Sequence, residues 1–198
     1  HRKEIGATYD LAADFEGSIA RIDGQLAEAQ AALSEAAYRL SQKRHEVAER
    51  IEHMIQHELA DLGMPHGQFV VDFSREPDAN GWIAWPDGKD TVRLRALPTG
   101  ADLVEFYITT NVGEAPRPLV KVASGGEVSR IMLALKTILA KSERLPILVF
   151  DEIDVGISGE VARRVGESMQ RLGAYHQIIA ITHLPQIAAL GAHHILVE

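Results

Sequence analysis

The feature that most constrains this chain is a heptad seam in its first third. Apolar residues fall at Phe15, Ile19, Ile22, Leu26, Ala29, Leu33, Ala36 and Leu40. The spacing alternates four and three, the period of a left-handed coiled coil. Past Leu40 the seam meets Lys43 and Val47, then shifts to Ile51 and Met54, as a four-residue stutter would shift it. Gly63 and Pro65 end the pattern. A helix from about Asp10 to Leu62 makes a rod of roughly 80 Å. No second heptad stretch follows, so the expected partner helix lies upstream of His1 or on another chain. His53 and His57 have the i, i+4 spacing a metal accepts, but no third ligand is near in sequence. They read as the solvated face of the rod.

The middle of the chain changes period. Phe69–Phe73, Trp82–Trp85, Thr91–Leu97 and Leu103–Thr109 alternate or are rich in β-branched and aromatic residues, which predicts strands. Asn80-Gly81 and Asp87-Gly88 mark turns between the early strands, so antiparallel hairpins are expected. After Val112 helices and apolar strands alternate. A helix is predicted over Glu127–Lys141, a strand buried on both faces over Ile147–Phe150, and a helix over Gly159–Leu172. A strand over Gln177–Thr182, a short helix from Pro185 and a strand over His194–Val197 follow. That order predicts a largely parallel sheet covered by helices.

Composition narrows the class of function. The chain contains no cysteine, which excludes disulfides and thiolate metal sites and fits a reducing compartment. No apolar run is long enough to span a membrane. A net charge of -8 argues against a basic nucleic-acid surface over the whole chain. The start at His1 lacks a signal-peptide pattern and reads as an excised piece.

Three short stretches carry candidate chemistry. Ile147–Phe150 ends in Asp151-Glu152, and the carboxyl end of such a strand faces the ligand crevice of an open α/β sheet. One carboxylate there can hold Mg²⁺ while its neighbour handles water; the alternative is a loop facing solvent. Ser124-Gly125-Gly126-Glu127 opens a helix. Ser-x-x-Glu is a capping box, worth about 1 kcal/mol, but it does not require two glycines. Each glycine costs up to about 1 kcal/mol of helix propensity, and glycines there let amides approach an anion. Thr182-His183 closes the second apolar strand; a lone histidine in that place has a structural alternative.

Taken in order, these stretches resemble the signature motif, Walker B strand and switch histidine of an ABC-type ATPase head. A coiled coil entering the head is similar to the SMC-like branch rather than to transporter subunits. Lys121–Lys136, reading KVASGGEVSRIMLALK, resembles the RecN family of DNA-repair proteins. So do Phe150–Gly159, reading FDEIDVGISG, Thr182–Ala189, reading THLPQIAA, and Leu62-Gly63-Met64-Pro65. The resemblance covers about residues 60 to 198, while the rod matches only in kind.

The resemblance implies an α/β fold: the C-terminal lobe of an ABC-type P-loop ATPase head with an antiparallel β portion, preceded by a long coiled-coil helix. It implies a helical arm over 1–62 and a lobe over 63–198. Asp151 would support Mg²⁺, and Glu152 would be the general base for the attacking water. His183 would contact the γ-phosphate of ATP. Ser124, Gly125, Gly126 and Glu127 would meet ATP held by a second head, with Asp154 at the same head–head junction. Partners implied are the N-terminal half of the same protein, a second head and DNA, in the bacterial cytoplasm at the nucleoid and without a membrane. No Gly-x-x-x-x-Gly-Lys-Ser/Thr loop occurs; Gly88-Lys89 is followed by Asp90. The expected activity is therefore ATP hydrolysis in double-strand-break repair and recombination, with this segment inactive alone. The competing readings are another SMC-like repair ATPase, a transporter's ATPase subunit, and a structural tether with a degenerate ATP site. The rod opposes the transporter, and Asp151, Glu152 and His183 oppose the tether.

Overall fold

The computed structural model describes residues 2–122, 124–140, 142 and 145–197, with side chains from Phe15 onward. The chain divides into two compact units. One comprises residues 1–45 and 73–103, the other residues 46–72 and 104–198. The long helix α1, Arg2–Asp61, contributes to both.

In the first unit the heptad seam stays exposed. Phe15 and Ile22 are more than half exposed, and Ile19, Leu26, Leu33 and Leu40 are exposed as well. The face that does bury is one residue along, at Ala37 and Ser41. Small residues let a hairpin lie close to the helix there. That hairpin is β2, Ile83–Asp87, and β3, Asp90–Leu94, antiparallel with Ile83 opposite Leu94 and Asp87 opposite Asp90. The Asp87-Gly88 turn is where the sequence predicts it. Asn80-Gly81 forms a second turn, closed by the Gly81 amide donating to the Asp78 carbonyl at 2.8 Å. A Cβ at Gly81 would overlap the Leu94 carbonyl, so only glycine lets the chain cross there. Ala37, Ile83, Leu94 and Ala101 form a small core, flanked by Trp85, Val92 and Ala96.

A buried carboxylate ties this small unit together. Asp102 Oδ1 accepts from the Ser41 hydroxyl at 2.9 Å and from Arg75 Nε at 3.0 Å. Arg44 Nη1 lies 3.5 Å from Asp102 Oδ2, and Arg44 Nη2 donates to the Thr99 carbonyl at 2.7 Å. The Arg75 guanidinium also sits 4.1 Å over the Trp85 ring, a cation–π contact that adds to its anchoring.

The second unit is built on the last turns of α1. Ile55, Leu59 and Leu62 have no exposed surface, and the helix ends at Gly63 with the Met64 amide donating to the Leu59 carbonyl at 2.9 Å. Gly63 has φ 82°, the left-handed cap that glycine favours. Strand β1, Gln68–Ser74, neighbours β4, Leu103–Thr109, which pairs antiparallel with β5, Arg117–Pro118. The early strands are thus not consecutive hairpins; β2 and β3 alone form one among the four predicted. Helix α2, Gly125–Leu139, leads to β6, Ile147–Phe150, then α3, Gly159–Leu172, β7, Gln177–Ala180, and α4, Pro185–Ala188. The predicted α2 end, Lys141, lies outside the described residues, as does Ala123 in the signature-like stretch.

Strands β6 and β7 are parallel, with Ile147 opposite Gln177 and Phe150 opposite Ala180, as the alternating grammar predicts. Two predictions fail. First, β6 is buried on one face only: Phe150 is buried and Leu148 packs on the core, but Ile147 and Val149 are exposed. Ile179 and Ile181 extend that exposed apolar face, which no element covers among the described residues. Second, His194–Val197 is no strand. Ile195, Leu196 and Val197 are almost fully exposed, because β propensity forms no ladder without a neighbouring strand.

The Asp102 cluster yields a stability test. Both tryptophans, Trp82 and Trp85, lie in the first unit, so their fluorescence reports its unfolding. Asp102→Ala leaves Arg75 without its buried partner and should cost the first unit about 3 kcal/mol in denaturant unfolding. Arg95→Ala, which breaks the exposed pair with Glu76, should change it little. Equal effects of the two substitutions would show that the buried carboxylate is not the anchor.

Candidate active site

The site lies within the second unit, where parallel pairing aligns two strand ends. Phe150 is opposite Ala180, and the Ile181 amide donates to the Phe150 carbonyl at 2.9 Å. The residues that follow, Asp151-Glu152 and Thr182-His183, therefore leave the sheet at the same edge. Strand β7 ends at Ala180, two residues short of the predicted Thr182, so the histidine sits on the loop beyond it.

Asp151 is exposed. Its main-chain carbonyl accepts from the Ser129 hydroxyl of α2 at 2.7 Å, and its Oδ1 accepts from the Glu152 amide at 2.9 Å. Glu152 is also exposed and has φ 57°. For a residue with a Cβ, the left-handed region costs roughly 1 to 2 kcal/mol. Such strain is found where a loop is held for function. The Asp151 main chain is thus bonded to α2 through Ser129, while both carboxylate side chains remain exposed.

That fastening explains the two glycines. A Cβ at Gly125 would overlap Glu152 Oε2, and one at Gly126 would come within 3.0 Å of Val155 Cβ and of its carbonyl. The glycines let the loop after β6 lie directly on the mouth of α2. Ser124 caps the helix, its Oγ accepting from the Glu127 amide at 3.4 Å. The Glu127 carboxylate accepts from the Thr110 hydroxyl at 3.4 Å rather than closing the box on Ser124. Beside Ser124 a shallow cleft of about 210 Å³ is lined by Thr110, Asn111, Arg117, Lys121 and Glu127.

Asp154 is turned the other way. Only 5% exposed, its Oδ2 accepts from the Thr182 hydroxyl at 2.6 Å and from the His183 amide at 2.9 Å. His183 Nδ1 lies 3.0 Å from the same oxygen. Burial by itself would raise the carboxyl pKa, but the bonds from Thr182 and His183 outweigh it and hold the group below its usual range.

The structure thus joins Glu152 to Gly125 and Gly126, Asp151 to Ser129, and Asp154 to His183. No hydrogen bond or ion pair joins Asp151 to His183 among the described residues. Two participants escape sequence reasoning. Ser129 reaches back to the Asp151 carbonyl. Arg130 is buried and donates from Nη1 to the Val155 carbonyl at 2.8 Å. Burial pushes the Arg130 pKa down, and Glu127 opposes that shift. The available signal was the i, i+4 relation of Gly126 and Arg130, which sets a cation on the helix face that glycine leaves open. His57 and His53 remain solvated on α1, as expected; His57 faces Asp61 at 3.9 Å.

An exposed strand-end carboxylate pair thus lies beside a glycine-opened helix terminus, with a histidine held near Asp154, in an α/β lobe whose sequence contains no Gly-x-x-x-x-Gly-Lys-Ser/Thr loop. No protein-family model matches the chain. Curated relatives do. The DNA repair protein RecN of Treponema pallidum is 44% identical over 156 residues, 79% of this chain and 25% of that protein. The DNA repair protein RecN of Streptomyces coelicolor is 39% identical over 155 residues, 78% of this chain and 26% of its own length. A solved Smc head bound to the C-terminal winged-helix domain of ScpA covers 80% of this chain and 41% of that one, at 20% identity and a TM-score of 0.47, too loose an overlay to bear on the assignment. The chain belongs to the RecN family and spans about a quarter of the length of the relatives it matches.

The depressed Asp154 carboxyl gives a pH dependence with a definite sign. Its contribution to stability is fully present above the ordinary aspartate pKa and is lost as pH falls through the lowered folded value. The stability gap between the wild type and Asp154→Asn should therefore be widest near neutrality and close on acidification. Unfolding measured across that range checks it, and a gap that widens toward acid would contradict the assignment.

Proposed function

We propose that this chain supplies the signature, Walker B and switch elements of an ATPase. The intact protein binds and hydrolyses ATP with Mg²⁺ between two heads and acts on DNA in double-strand-break repair. The observation that carries the reading is the common edge of β6 and β7, where Asp151-Glu152 and Thr182-His183 emerge together beside the glycine mouth of α2. The name borne by the relatives supports a role in DNA repair.

In this reading Asp151 holds the cation. Mg²⁺ binds through one or two carboxylates together with waters and substrate phosphates rather than in an all-protein cage, which suits a single exposed Asp. The described residues contain no cluster of three acidic or imidazole ligands. The bound ion would neutralise charge on the phosphates. Glu152 takes the proton of the attacking water, a role its carboxylate beside Gly125 supports. His183 meets the terminal phosphate. Ser124 and the amides of Gly125 and Gly126 face ATP held by a second head, with Glu127 fixing the helix mouth. The N-terminal half of the protein would bring the phosphate loop and the partner for the α1 seam, and its other lobe would cover the apolar face of β6 and β7. DNA binding belongs to the whole assembly.

Glu152→Gln in the full-length protein should keep ATP binding and lower turnover about 10²-fold or more, because the amide retains size but accepts no proton. A steady-state ATPase assay beside a nucleotide-binding titration checks it; unimpaired turnover would remove Glu152 as the base.

The bond from the Glu127 amide to Ser124 favours a second, purely capping role for that serine. Ser124→Arg separates the two. A lost cap costs about 1 kcal/mol and spares head association, whereas a bulky side chain facing a second head blocks ATP-dependent pairing. Mixing full-length Ser124→Arg with a phosphate-loop lysine mutant should partly restore ATPase activity, since both lesions can share one composite site. Wild-type pairing and turnover by Ser124→Arg alone would establish the capping role instead.

A further inference from the structure

We infer that Asp154 is a positioning residue for His183: it fixes the imidazole by its Nδ1 so that Nε2 is the atom presented to substrate. The inference rests on the reading of His183 as the group that meets the terminal phosphate, and it gives Asp154 a task inside its own lobe rather than at a junction between heads.

The geometry is one-sided. Two hydrogen bonds and one ion-pair contact converge on the single oxygen Oδ2: the Thr182 hydroxyl donates at 2.6 Å, the His183 amide donates at 2.9 Å, and His183 Nδ1 lies 3.0 Å away. The first two hold the carboxylate in place whatever the ring does. The third holds the ring. A role limited to closing the loop would be met by the hydroxyl and the amide, so the ion-pair contact with an otherwise solvated imidazole is surplus to it. The contrast in exposure is large: the Asp154 side chain is 5% exposed and the His183 side chain 76%.

An ionised carboxylate only accepts hydrogen bonds, so Nδ1 must carry a proton. Which nitrogen of a histidine is protonated is set by the bond that the other makes. Nε2 is left on the exposed side of the ring as the atom free to meet a phosphate oxygen. An exposed histidine without such a tether would sample its staggered rotamers. When both nitrogens carry protons, Nε2–H becomes a charge-assisted donor to an anionic oxygen, and Asp154 offsets the ring's positive charge from the buried side.

The placement of Asp154 adds a mechanical consequence. It lies three residues after Asp151 in the turn closed by the Val155 amide on the Glu152 carbonyl at 3.2 Å. The Arg130 guanidinium holds the same turn through the Val155 carbonyl. The histidine is thereby referenced to the loop that carries Asp151 and Glu152, beyond what the β6–β7 ladder alone provides.

The test has two readouts. Long-range proton–nitrogen NMR of the chain labelled with ¹⁵N-histidine should find His183 as the Nδ1–H tautomer. Asp154→Ala should lose that preference, while Asp154→Asn, whose amide oxygen can accept the same bond, should keep it. In the full-length protein Asp154→Ala should lower ATP turnover toward the level of His183→Ala, about 10²-fold for a misplaced phosphate donor, with little change in KM. Asp154→Asn should lie between, and it serves as the variant that preserves the fold. An Nε2–H tautomer in the wild type would overturn the proposal, as would lost tautomer preference with unchanged turnover. Normal turnover by His183→Ala with the tautomer intact would remove the phosphate reading itself, and the proposed role of Asp154 with it.

Discussion

The second unit depends on the burial of the final turns of α1. Ile55, Leu59 and Leu62 are sealed within a core that also holds Phe69, Ile108, Ile131, Phe150, Val165 and Leu172. Full burial of each such side chain contributes about 1.5 to 3 kcal/mol. A helix that begins as a solvated rod therefore ends as a structural member of the lobe. α2, α3 and the inner faces of β1, β4 and β6 take their positions from that column. The site follows from it, because Phe150 anchors β6 and so fixes where Asp151 emerges.

Around that frame the catalytic candidates are held mainly by short polar contacts. Ser129, Thr182, Arg130 and the amides of Glu152 and His183 each spend a hydrogen bond on the loop after β6 or on its neighbour. None of these groups does chemistry in the proposed reaction. They set the angles at which Asp151, Glu152 and His183 are offered, and preorganisation of that kind is how a site stabilises a transition state without reorganising during the reaction. The left-handed Glu152 backbone is the local cost, and the close seat of Gly125 and Gly126 is what accommodates it.

The apolar surfaces left uncovered share one character. The α1 seam, the outer face of β6 and β7, and Ile195–Val197 are patterned as core yet exposed. Contiguous apolar patches of this kind mark surfaces meant for covering. For the chain's own units the consequence is a core that reaches only one side of the parallel strands.

Much of this was legible from the residues alone. The 3.5-residue period, the Gly63-Pro65 stop, the bounds of α3 and the parallel pairing of β6 and β7 follow from local pattern, because hydrophobic period and cap chemistry act within a few residues. The order of Ser124-Gly125-Gly126-Glu127, Asp151-Glu152 and Thr182-His183 carried the resemblance on which the proposed chemistry rests, since phosphate sites draw on few residue types in few arrangements. Tertiary structure alone decided the rest. It buried Ala37 and Ser41 instead of the seam, because small residues admit a hairpin without raising the hydrophobic period. It paired β1 with β4, a choice made by distant contacts that turn signals do not encode. It left His194–Val197 without a ladder and one face of β6 open, because burial depends on which elements are at hand, not on a strand's own composition. Finally, it turned Asp154 inward onto Thr182 and His183. Asp154 lies 28 residues before Thr182 and 29 before its neighbour His183, and only the parallel register of β6 and β7 brings the carboxylate against the hydroxyl and the imidazole.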